Sequence, residues 1–215
     1  MRIDYIFDTV CPWCYIGKRR FERALACRPN ARVTVRWRPF LLNPDLPLGG
    51  MDRGSYLDRK FGGQARVQRM HASAAAAGLA EGIEFAFERI LQTPNTLHSH
   101  RLIRFAGQLG REPEMVEAIY RAFFCQGRDI GSIDELIALG VEVGLPRAAI
   151  AEYLHSDADV TALLNDNAGS HRLGVNGVPC VIIEGLYALA GAQEPEILLR
   201  LIDVARESEA EVALS

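Results

Sequence analysis

The sequence has little of several features that would place it in a special class. It carries 24 lysines and arginines against 27 aspartates and glutamates, and no basic block of the kind that binds nucleic acid. No stretch approaches the roughly 18 apolar residues that a membrane-spanning helix requires. Asp4 and Asp8 interrupt the apolar run near the N-terminus, which is unlike a secretory signal peptide. We therefore expect a cytoplasmic protein without nucleic-acid or membrane partners.

Cysteine is also scarce. Five cysteines in 215 residues are too few and too scattered for a scaffold held together by disulfides. A structural zinc site usually needs four ligands, and the sequence has no second C-x-x-C or H-x-x-x-H pair. Haem attachment needs a histidine after the second cysteine, where this chain has Tyr15. The single C-x-x-C pair therefore favours redox chemistry, and we expect no metal.

That pair is Cys11-Pro12-Trp13-Cys14, between a predicted strand and a predicted helix. A thiol at a helix N-terminus lies among unpaired backbone N–H groups, which favour its anionic and reactive form. Proline suits the first helical turn because its missing N–H has no partner there. We interpret the pair as a dithiol/disulfide centre in which Cys11 is the nucleophile and Cys14 resolves the mixed disulfide.

The order of predicted elements around this pair indicates the fold. A βαβ start (2–8, 12–27 and 33–37) is followed by a Pro/Gly-rich connector, a long helical stretch and a ββα end (181–184, 187–190 and from 195). This order around a C-x-x-C pair is the plan of the thioredoxin fold, an α/β fold, here with a large all-helical insertion. We assign 1–45 and 173–215 to the thioredoxin-fold domain and 46–172 to the helical insertion domain.

Four further segments carry a family resemblance. They are Trp-Arg-Pro-Phe-Leu-Leu-Asn-Pro at 37–44, Asn-Thr-Leu-His-Ser-His-Arg-Leu at 95–102, Gly-Val-Asn-Gly-Val-Pro at 174–179 and Ala-Gly-Ala-Gln at 190–193. Together with the C-x-x-C pair they resemble, in order and over nearly the whole chain, the DsbA family of thiol-disulfide oxidoreductases. The resemblance is to its FrnE-like and 2-hydroxychromene-2-carboxylate isomerase-like branch.

The resemblance implies further site residues. It places a cis bond between Val178 and Pro179 opposite the C-x-x-C pair, with the Val178 backbone turned outward where an extended peptide could pair with it. The expected substrate is a disulfide- or thiol-containing protein or small molecule. No cofactor is required, although glutathione could act as reductant or co-substrate, held by Asn95 and the Val178 backbone. Pro12 and Trp13 complete the predicted substrate site; whether Trp13 stacks on substrate or covers the site stays open.

Two alternative functions follow from the same residues. The first alternative is a glutathione-dependent isomerase or transferase. Relatives with this activity usually carry serine where this chain has Cys11, and that difference weakens the alternative. Two cysteines can perform disulfide exchange, whereas a single serine cannot. The second alternative is a redox-sensing or chaperone-like binding protein. The pattern leaves the direction of electron flow and the oligomeric state open. It also leaves open whether Cys180 belongs to the core or is a third redox thiol.

Overall fold

The computed structural model describes residues 1–214, with side chains through residue 208. A four-stranded sheet has the strand order β2-β1-β5-β6. Its strands are β1 (Arg2–Phe7), β2 (Thr34–Pro39), β5 (Cys180–Ile183) and β6 (Tyr187–Ala190). β1 runs parallel to β2 and antiparallel to β5, and β6 is antiparallel to β5. This mixed sheet confirms the predicted α/β thioredoxin-like fold.

The two faces of β1 pack against different partners because successive side chains of a strand point to opposite sides. Tyr5 and Phe7 lie in the main hydrophobic core with α1 (Pro12–Ala26), whose Phe21 ring is 5.5 Å from that of Tyr5. Ile6 points to the other face and packs in a smaller cluster that includes Cys180. The centre of the sheet is therefore covered on both faces.

The segment between the two halves of the sheet is mostly helical, as predicted. Its helices are α2 (Arg53–Phe61), α3 (Gln64–Ala80), α4 (Leu97–Gln108), α5 (Glu112–Gln126), α6 (Ile133–Glu142), α7 (Arg147–His155) and α8 (Val160–Arg172). Ser132 is the N-cap residue of α6, where its hydroxyl accepts a hydrogen bond from the Glu135 amide. The segment also contains a small antiparallel pair, β3 (Met51–Asp52) and β4 (Gln92–Thr93), which the pattern did not indicate.

A buried arginine holds α4 to the end of α7. Arg101 has no solvent exposure, and its guanidinium donates hydrogen bonds to four backbone carbonyl oxygens. The four lie in the last turn of α7 and just beyond it, at Tyr153, Leu154, Ser156 and Ala158. Carbonyls at a helix C-terminus lack partners within the helix, and that end of the helix dipole favours a cation. Arg101 therefore satisfies these groups from a neighbouring helix.

The chain ends in α9 (Pro195–Leu214), which packs on α1. Side chains of both predicted domains share one continuous core, and the division at 45/46 and 172/173 remains a prediction. Ser215, the last residue of the second predicted segment, lies outside the described residues. Among the described helices, none is long and apolar enough to cross a bilayer. The cytoplasmic location stays a prediction.

Candidate functional site

The Cys11 thiol lies where the chain leaves the sheet and enters α1. Cys11 is the N-cap residue with an extended backbone, and Pro12 occupies the first turn. The Cys11 carbonyl oxygen accepts hydrogen bonds from the amides of Cys14 at 3.0 Å and Tyr15 at 3.3 Å, which begins the helix. The Cys11 side chain forms no capping hydrogen bond. Because Cys11 is the N-cap residue, its sulfur lies at the partially positive end of the helix, where an anion is stabilised.

The loop before β5 faces this sulfur. The Val178–Pro179 peptide bond is cis, and the Cys11 thiol lies 3.7 Å from the Val178 carbonyl oxygen. Gly17 in α1 makes room for the loop. A Cβ atom at Gly17 would lie 2.9 Å from Pro179 Cγ and 2.8 Å from the Tyr5 hydroxyl, both closer than van der Waals contact. The glycine thus lets the helix and the proline loop meet beside the thiol pair.

Cys14 occupies a different environment from Cys11. Its side chain is fully buried, whereas the Cys11 side chain lines a cavity. Burial raises the pKa of the Cys14 thiol well above its usual value, and a hydrogen bond with the Cys11 sulfur adds to this. Both cysteines are free thiols here. The two sulfurs are therefore neighbours, with the first reachable from a cavity and the second holding its proton inside the protein.

Asp8, whose carbonyl oxygen accepts a hydrogen bond from the Cys11 amide at 3.2 Å, has a buried carboxylate that contacts a buried histidine. Asp8 has no solvent exposure, and its Oδ2 accepts a hydrogen bond from the Leu42 amide at 2.7 Å. Its Oδ1 lies 3.3 Å from His100 Nε2. His100 comes from α4 and is 3% exposed. The resembling segment at 95–102 thus contributes a buried histidine that contacts Asp8.

A cavity of about 250 Å³ opens beside Cys11, between the start of α1 and helices α2 and α3. Most of its wall is apolar. The apolar lining includes Val10, Leu42, Leu57, Phe61, Val67 and Phe87. Trp13 also lines the cavity and is 38% exposed, so its ring both forms a wall and meets solvent. The shape and lining suit a ligand that carries apolar groups.

The same cavity has basic groups on the α2–α3 side. Arg53, Lys60 and His71 line it. Arg53 donates a hydrogen bond to the Thr93 hydroxyl at 3.2 Å, but its buried Nε has no partner in the described part of the chain. Burial lowers the pKa of Arg53 below its usual value. A buried donor without a partner carries an energetic penalty, which an acidic ligand group in the cavity would relieve.

Other predicted residues lie apart from this cavity. The Asn95 side chain hydrogen-bonds to the Leu46 carbonyl and the Leu97 amide, where it joins the connector to the start of α4. Cys180 packs on the face of the sheet opposite α1, and burial raises the pKa of its thiol. The Cys180 environment thus favours a core thiol over a third redox thiol.

Two basic residues of α1, Lys18 and Arg19, share one carboxylate of α5. Glu117 of α5 accepts hydrogen bonds from Lys18 at 2.7 Å, Arg19 at 2.6 Å and the Tyr15 hydroxyl at 2.8 Å. Lys18 is only 2% exposed. Burial acts to raise the pKa of Glu117, but the charge of Lys18 and its neighbours lowers it overall. This cluster therefore fixes α1 against α5 behind the thiol pair.

Comparison with known proteins agrees with this architecture. A family model described as a DSBA-like thioredoxin domain matches residues 2–203. The chain belongs to this DsbA-like family. One relative, the uncharacterized protein YwbO of Bacillus subtilis, is 30% identical over 206 residues, which cover 94% of this chain and 96% of that protein.

Two solved structures have a similar fold. The crystal structure of a probable DsbA oxidoreductase from Streptomyces coelicolor has a TM-score of 0.90 at 29% identity, covering 96% of this chain and 90% of that one. The cytosolic disulfide reductase DsbM from Pseudomonas aeruginosa, solved with GSH, has a TM-score of 0.65 at 22% identity, covering 99% and 100% of the two chains. The second likeness establishes the DsbA-like fold alone.

Proposed function

We propose that this protein is a thiol-disulfide oxidoreductase in which Cys11 attacks the substrate disulfide and Cys14 resolves the mixed disulfide. The observation that carries the proposal is the contrast between two neighbouring sulfurs. Cys11 lines a cavity at a helix N-terminus, whereas Cys14 is fully buried and its pKa is raised by burial. A substrate can therefore reach only the first sulfur, and the second is placed to attack it afterwards.

Reduction of one substrate disulfide uses only the two protein thiols, and the next turnover needs a thiol reductant, such as glutathione, that reduces the protein disulfide again. The Cys11 thiolate forms a bond to one substrate sulfur while the substrate disulfide breaks and releases a thiolate. Cys14 then bonds to Cys11, and the second substrate sulfur leaves. Two protein thiols are oxidised and one disulfide is reduced, and the reverse sequence oxidises a substrate dithiol. The Val178 carbonyl, beside Cys11, offers a backbone acceptor to an extended substrate.

Turnover with a disulfide substrate tests this function. We expect the wild-type protein and the Cys27→Ser variant to catalyse disulfide exchange at equal rates, because Cys27 is exposed and away from the cavity. Cys11→Ser should abolish exchange. Brief alkylation of the reduced protein with iodoacetamide, followed by peptide mass spectrometry, should find Cys11 modified before Cys14. Faster labelling of Cys14, or exchange that survives Cys11→Ser, would refute the assignment.

A second candidate is a glutathione-dependent isomerase or transferase. The observation that favours it is the basic side of the cavity that Cys11 also lines, where the buried Nε of Arg53 has no hydrogen-bond partner among the described residues. Glutathione carries carboxylates that such a group could bind. We expect Arg53→Gln to raise the KM for glutathione disulfide about tenfold and to leave that for the uncharged bis(2-hydroxyethyl) disulfide nearly unchanged. Arg59→Gln, an exposed change on the same helix, is the matched control.

The assay that separates the two functions compares wild type and Cys11→Ser. Disulfide exchange that disappears in Cys11→Ser supports the oxidoreductase. If Cys11→Ser retains or gains conversion of 2-hydroxychromene-2-carboxylate while wild type shows no disulfide exchange, the isomerase function replaces it.

A further inference from the structure

Helix α2 forms one wall of the cavity at Cys11. The α2 residues in this wall are at positions 53, 56, 57, 60 and 61, a spacing that places them on one face of the helix. Tyr56, Leu57 and Phe61 make that face largely apolar, yet none of the nine described residues of α2 is buried. The apolar face of α2 therefore borders a cavity instead of a packed core, and few contacts oppose a displacement of the helix.

A second cavity, of about 550 Å³, lies between α2 and the connector at 43–50. We call it the connector cavity; Pro44, Pro47 and Met51 are among the residues in its wall. Tyr56 and Lys60 of α2 line this cavity and the cavity at Cys11 as well. These two side chains therefore form part of the partition between the two spaces, and moving them aside would join the cavity at Cys11 to the connector cavity.

A single oxygen atom holds the partition in place. Asn43 Oδ1 accepts a hydrogen bond from the Tyr56 hydroxyl at 2.8 Å and another from the Lys60 ammonium at 2.6 Å. The preceding residue is anchored, because the Leu42 amide donates to the buried Asp8 carboxylate at 2.7 Å. Lys60 is exposed, so water competes for its hydrogen bond and the contact can break and re-form at small cost. We call Asn43, Tyr56 and Lys60 the gate.

The two ends of α2 are attached differently. At its start, the Arg53 amide donates to the Leu91 carbonyl oxygen at 2.9 Å, and the preceding strand β3 pairs with β4. At its end, Gly62 and Gly63 have φ of +71° and +127°, and only the adjacent residues lie within 4 Å of the position that a Cβ atom would take. Glycines with this freedom and space can absorb a change in chain direction. The part of α2 that carries the gate can therefore swing while its first turn stays in place.

Helix α3, which follows, is held to the thiol-bearing helix. Glu81, just after α3, accepts hydrogen bonds from Arg20 of α1 at 3.1 Å and from Arg23 of α1 at 2.8 Å. Ala74 and Gly78 of α3 are buried. A swing of α2 would therefore change the wall next to the connector and leave α1, with both thiols, in place.

The cavity at Cys11 is small while the gate is closed. Its volume of about 250 Å³ is just below the range of about 300–1,000 Å³ that is usual for pockets holding drug-sized ligands. Cys11 is 6% exposed, so a substrate disulfide must enter this space to reach the sulfur. A small disulfide needs no more room than this, but a peptide continues on both sides of its cysteine. The connector cavity would supply that additional room.

We propose that the gate determines which disulfides reach Cys11. The inference rests on the thiol-disulfide exchange proposed above. With the gate closed, the cavity accepts small-molecule disulfides. With the gate open, the two cavities become one groove, which accepts an extended peptide on either side of its disulfide-bonded cysteine. The open state is the minor one, so exchange with a peptide is slowed in proportion to the fraction of molecules that are open. The protein therefore prefers small disulfides.

Two probes that differ in one half test the gate. The small probe is bis(2-hydroxyethyl) disulfide. The peptide probe is a short, uncharged linear peptide whose central cysteine is disulfide-bonded to 2-mercaptoethanol. Each is mixed in excess with the reduced full-length protein and quenched with acid at successive times. The remaining thiols are then labelled with N-ethylmaleimide in denaturant, and peptide mass spectrometry follows the oxidation of Cys11 and Cys14.

We expect Asn43→Ala, which removes the shared acceptor, to speed oxidation by the peptide probe about tenfold and to leave oxidation by the small probe within about twofold. Tyr56→Phe loses one hydrogen bond and keeps the ring, so the peptide probe should react about threefold faster. Asn43→Asp keeps the acceptor and attracts Lys60, so its rate with the peptide probe should not exceed that of wild type. Asp58→Asn, an exposed change on α2 that lines neither cavity, is the matched control.

Hydrogen exchange gives a readout that does not depend on activity. In Asn43→Ala the amides of α2 should exchange faster than in wild type, and those of α4 should be unchanged. Unchanged exchange in α2 would overturn the gate. So would an equal acceleration with both probes, or a rate with the peptide probe that Asn43→Ala leaves at the wild-type value.

The failure of the gate and the failure of the oxidoreductase are distinguishable. If the small probe does not oxidise Cys11 and Cys14 in wild type, the oxidoreductase is refuted and the gate with it. If the small probe oxidises wild type normally, the gate alone is under test. Should Asn43→Ala react with neither probe, Tyr56→Phe decides, and a wild-type rate with the peptide probe in that variant would overturn the gate.

Discussion

The Cys11 sulfur lies 3.7 Å from the Val178 carbonyl oxygen, although 167 residues separate the two along the chain. The contact joins the start of α1 to the entrance of β5. A substrate bonded to Cys11, as proposed above, would therefore lie beside a backbone acceptor supplied by the distant half. The first prediction concerns Cys14, the fully buried second thiol of the pair.

Cys14→Ser should trap mixed disulfides on Cys11, because the buried resolving thiol is gone while the cavity at Cys11 is unchanged. Incubation with glutathione disulfide, followed by intact-mass analysis without reductant, should show one adduct that maps to Cys11. Cys11→Ser should give none at Cys14. A Cys14→Ser protein that acquires no adduct at Cys11 would contradict the assigned order of attack.

Gly17→Ala should destabilise the protein and slow disulfide exchange. The added methyl would approach the Tyr5 hydroxyl and Pro179, and overpacking of this kind costs about 1–3 kcal/mol. The gain in helix propensity, about 1 kcal/mol, is smaller. Gly54→Ala, at an exposed position of α2, is the control. Its added methyl would lie 3.4 Å from its nearest neighbour, Asp52 Oδ1, so this variant should not destabilise the protein. Urea unfolding and exchange rates measure both effects; equal stability of the two variants would disprove the close approach.

Arg101→Lys should lower the free energy of unfolding by about 2–4 kcal/mol. Lysine cannot reproduce the fork that reaches four carbonyls, so buried acceptors lose their partners. Arg104→Lys on the same helix should change stability by less than about 1 kcal/mol, because Arg104 is 39% exposed. Urea denaturation of both variants gives the comparison. A cost for Arg101→Lys no larger than that for Arg104→Lys would argue against the capping role.

Glu112→Gln should stabilise the protein at pH 8 more than at pH 5. Burial raises the pKa of Glu112 to about 7, while Arg104 opposes the shift. The folded chain then holds a proton that the unfolded chain, with a carboxyl pKa of about 4.3, releases, so stability falls as pH rises between these values. After allowance for solvent screening, the gain at pH 8 is about 1 kcal/mol.

Melting temperatures of wild type, Glu112→Gln and the exposed control Glu114→Gln at both pH values measure this. Only Glu112→Gln should show a gain that grows with pH. An equal gain at pH 5 and pH 8 would mean that the carboxyl is ionised in the folded protein at both values.

Much of the fold was accessible from the sequence because its signals are local. Each of these signals acts over a few residues. Examples are the apolar alternation of β1 and β2, Pro12 at the start of α1, the N-cap residue Ser132 and the turn at Gly185. The order of these elements was then sufficient to predict the thioredoxin-like sheet. The two-residue strands β3 and β4 were missed because a pair so short has no periodicity to detect.

The site was only partly accessible, because burial of polar residues depends on tertiary partners. Lys18 lies four residues after Cys14 and thus on the buried stripe of α1, but its burial depends on Glu117 from a distant helix. His100 and Ile103 are spaced three apart on the buried face of α4, a local signal that the histidine points inward. No local sequence pattern predicts that His100 contacts Asp8, or that the Arg53 Nε has no hydrogen-bond partner among the described residues.

The pairing of Ile3 with Ile183 places the first strand of the chain beside one of the last. During synthesis β1 leaves the ribosome early and waits for β5 until nearly the whole protein has been made. The helices between them contact one another locally and can assemble in the meantime, whereas contacts distant in sequence form late. Each new chain therefore passes through a stage in which Cys11 and Cys14 are present without β5 and without Val178. The contact between Cys11 and the Val178 carbonyl forms only when the C-terminal hairpin docks on β1, so the surroundings of the thiol pair are completed by the last part of the chain to be made.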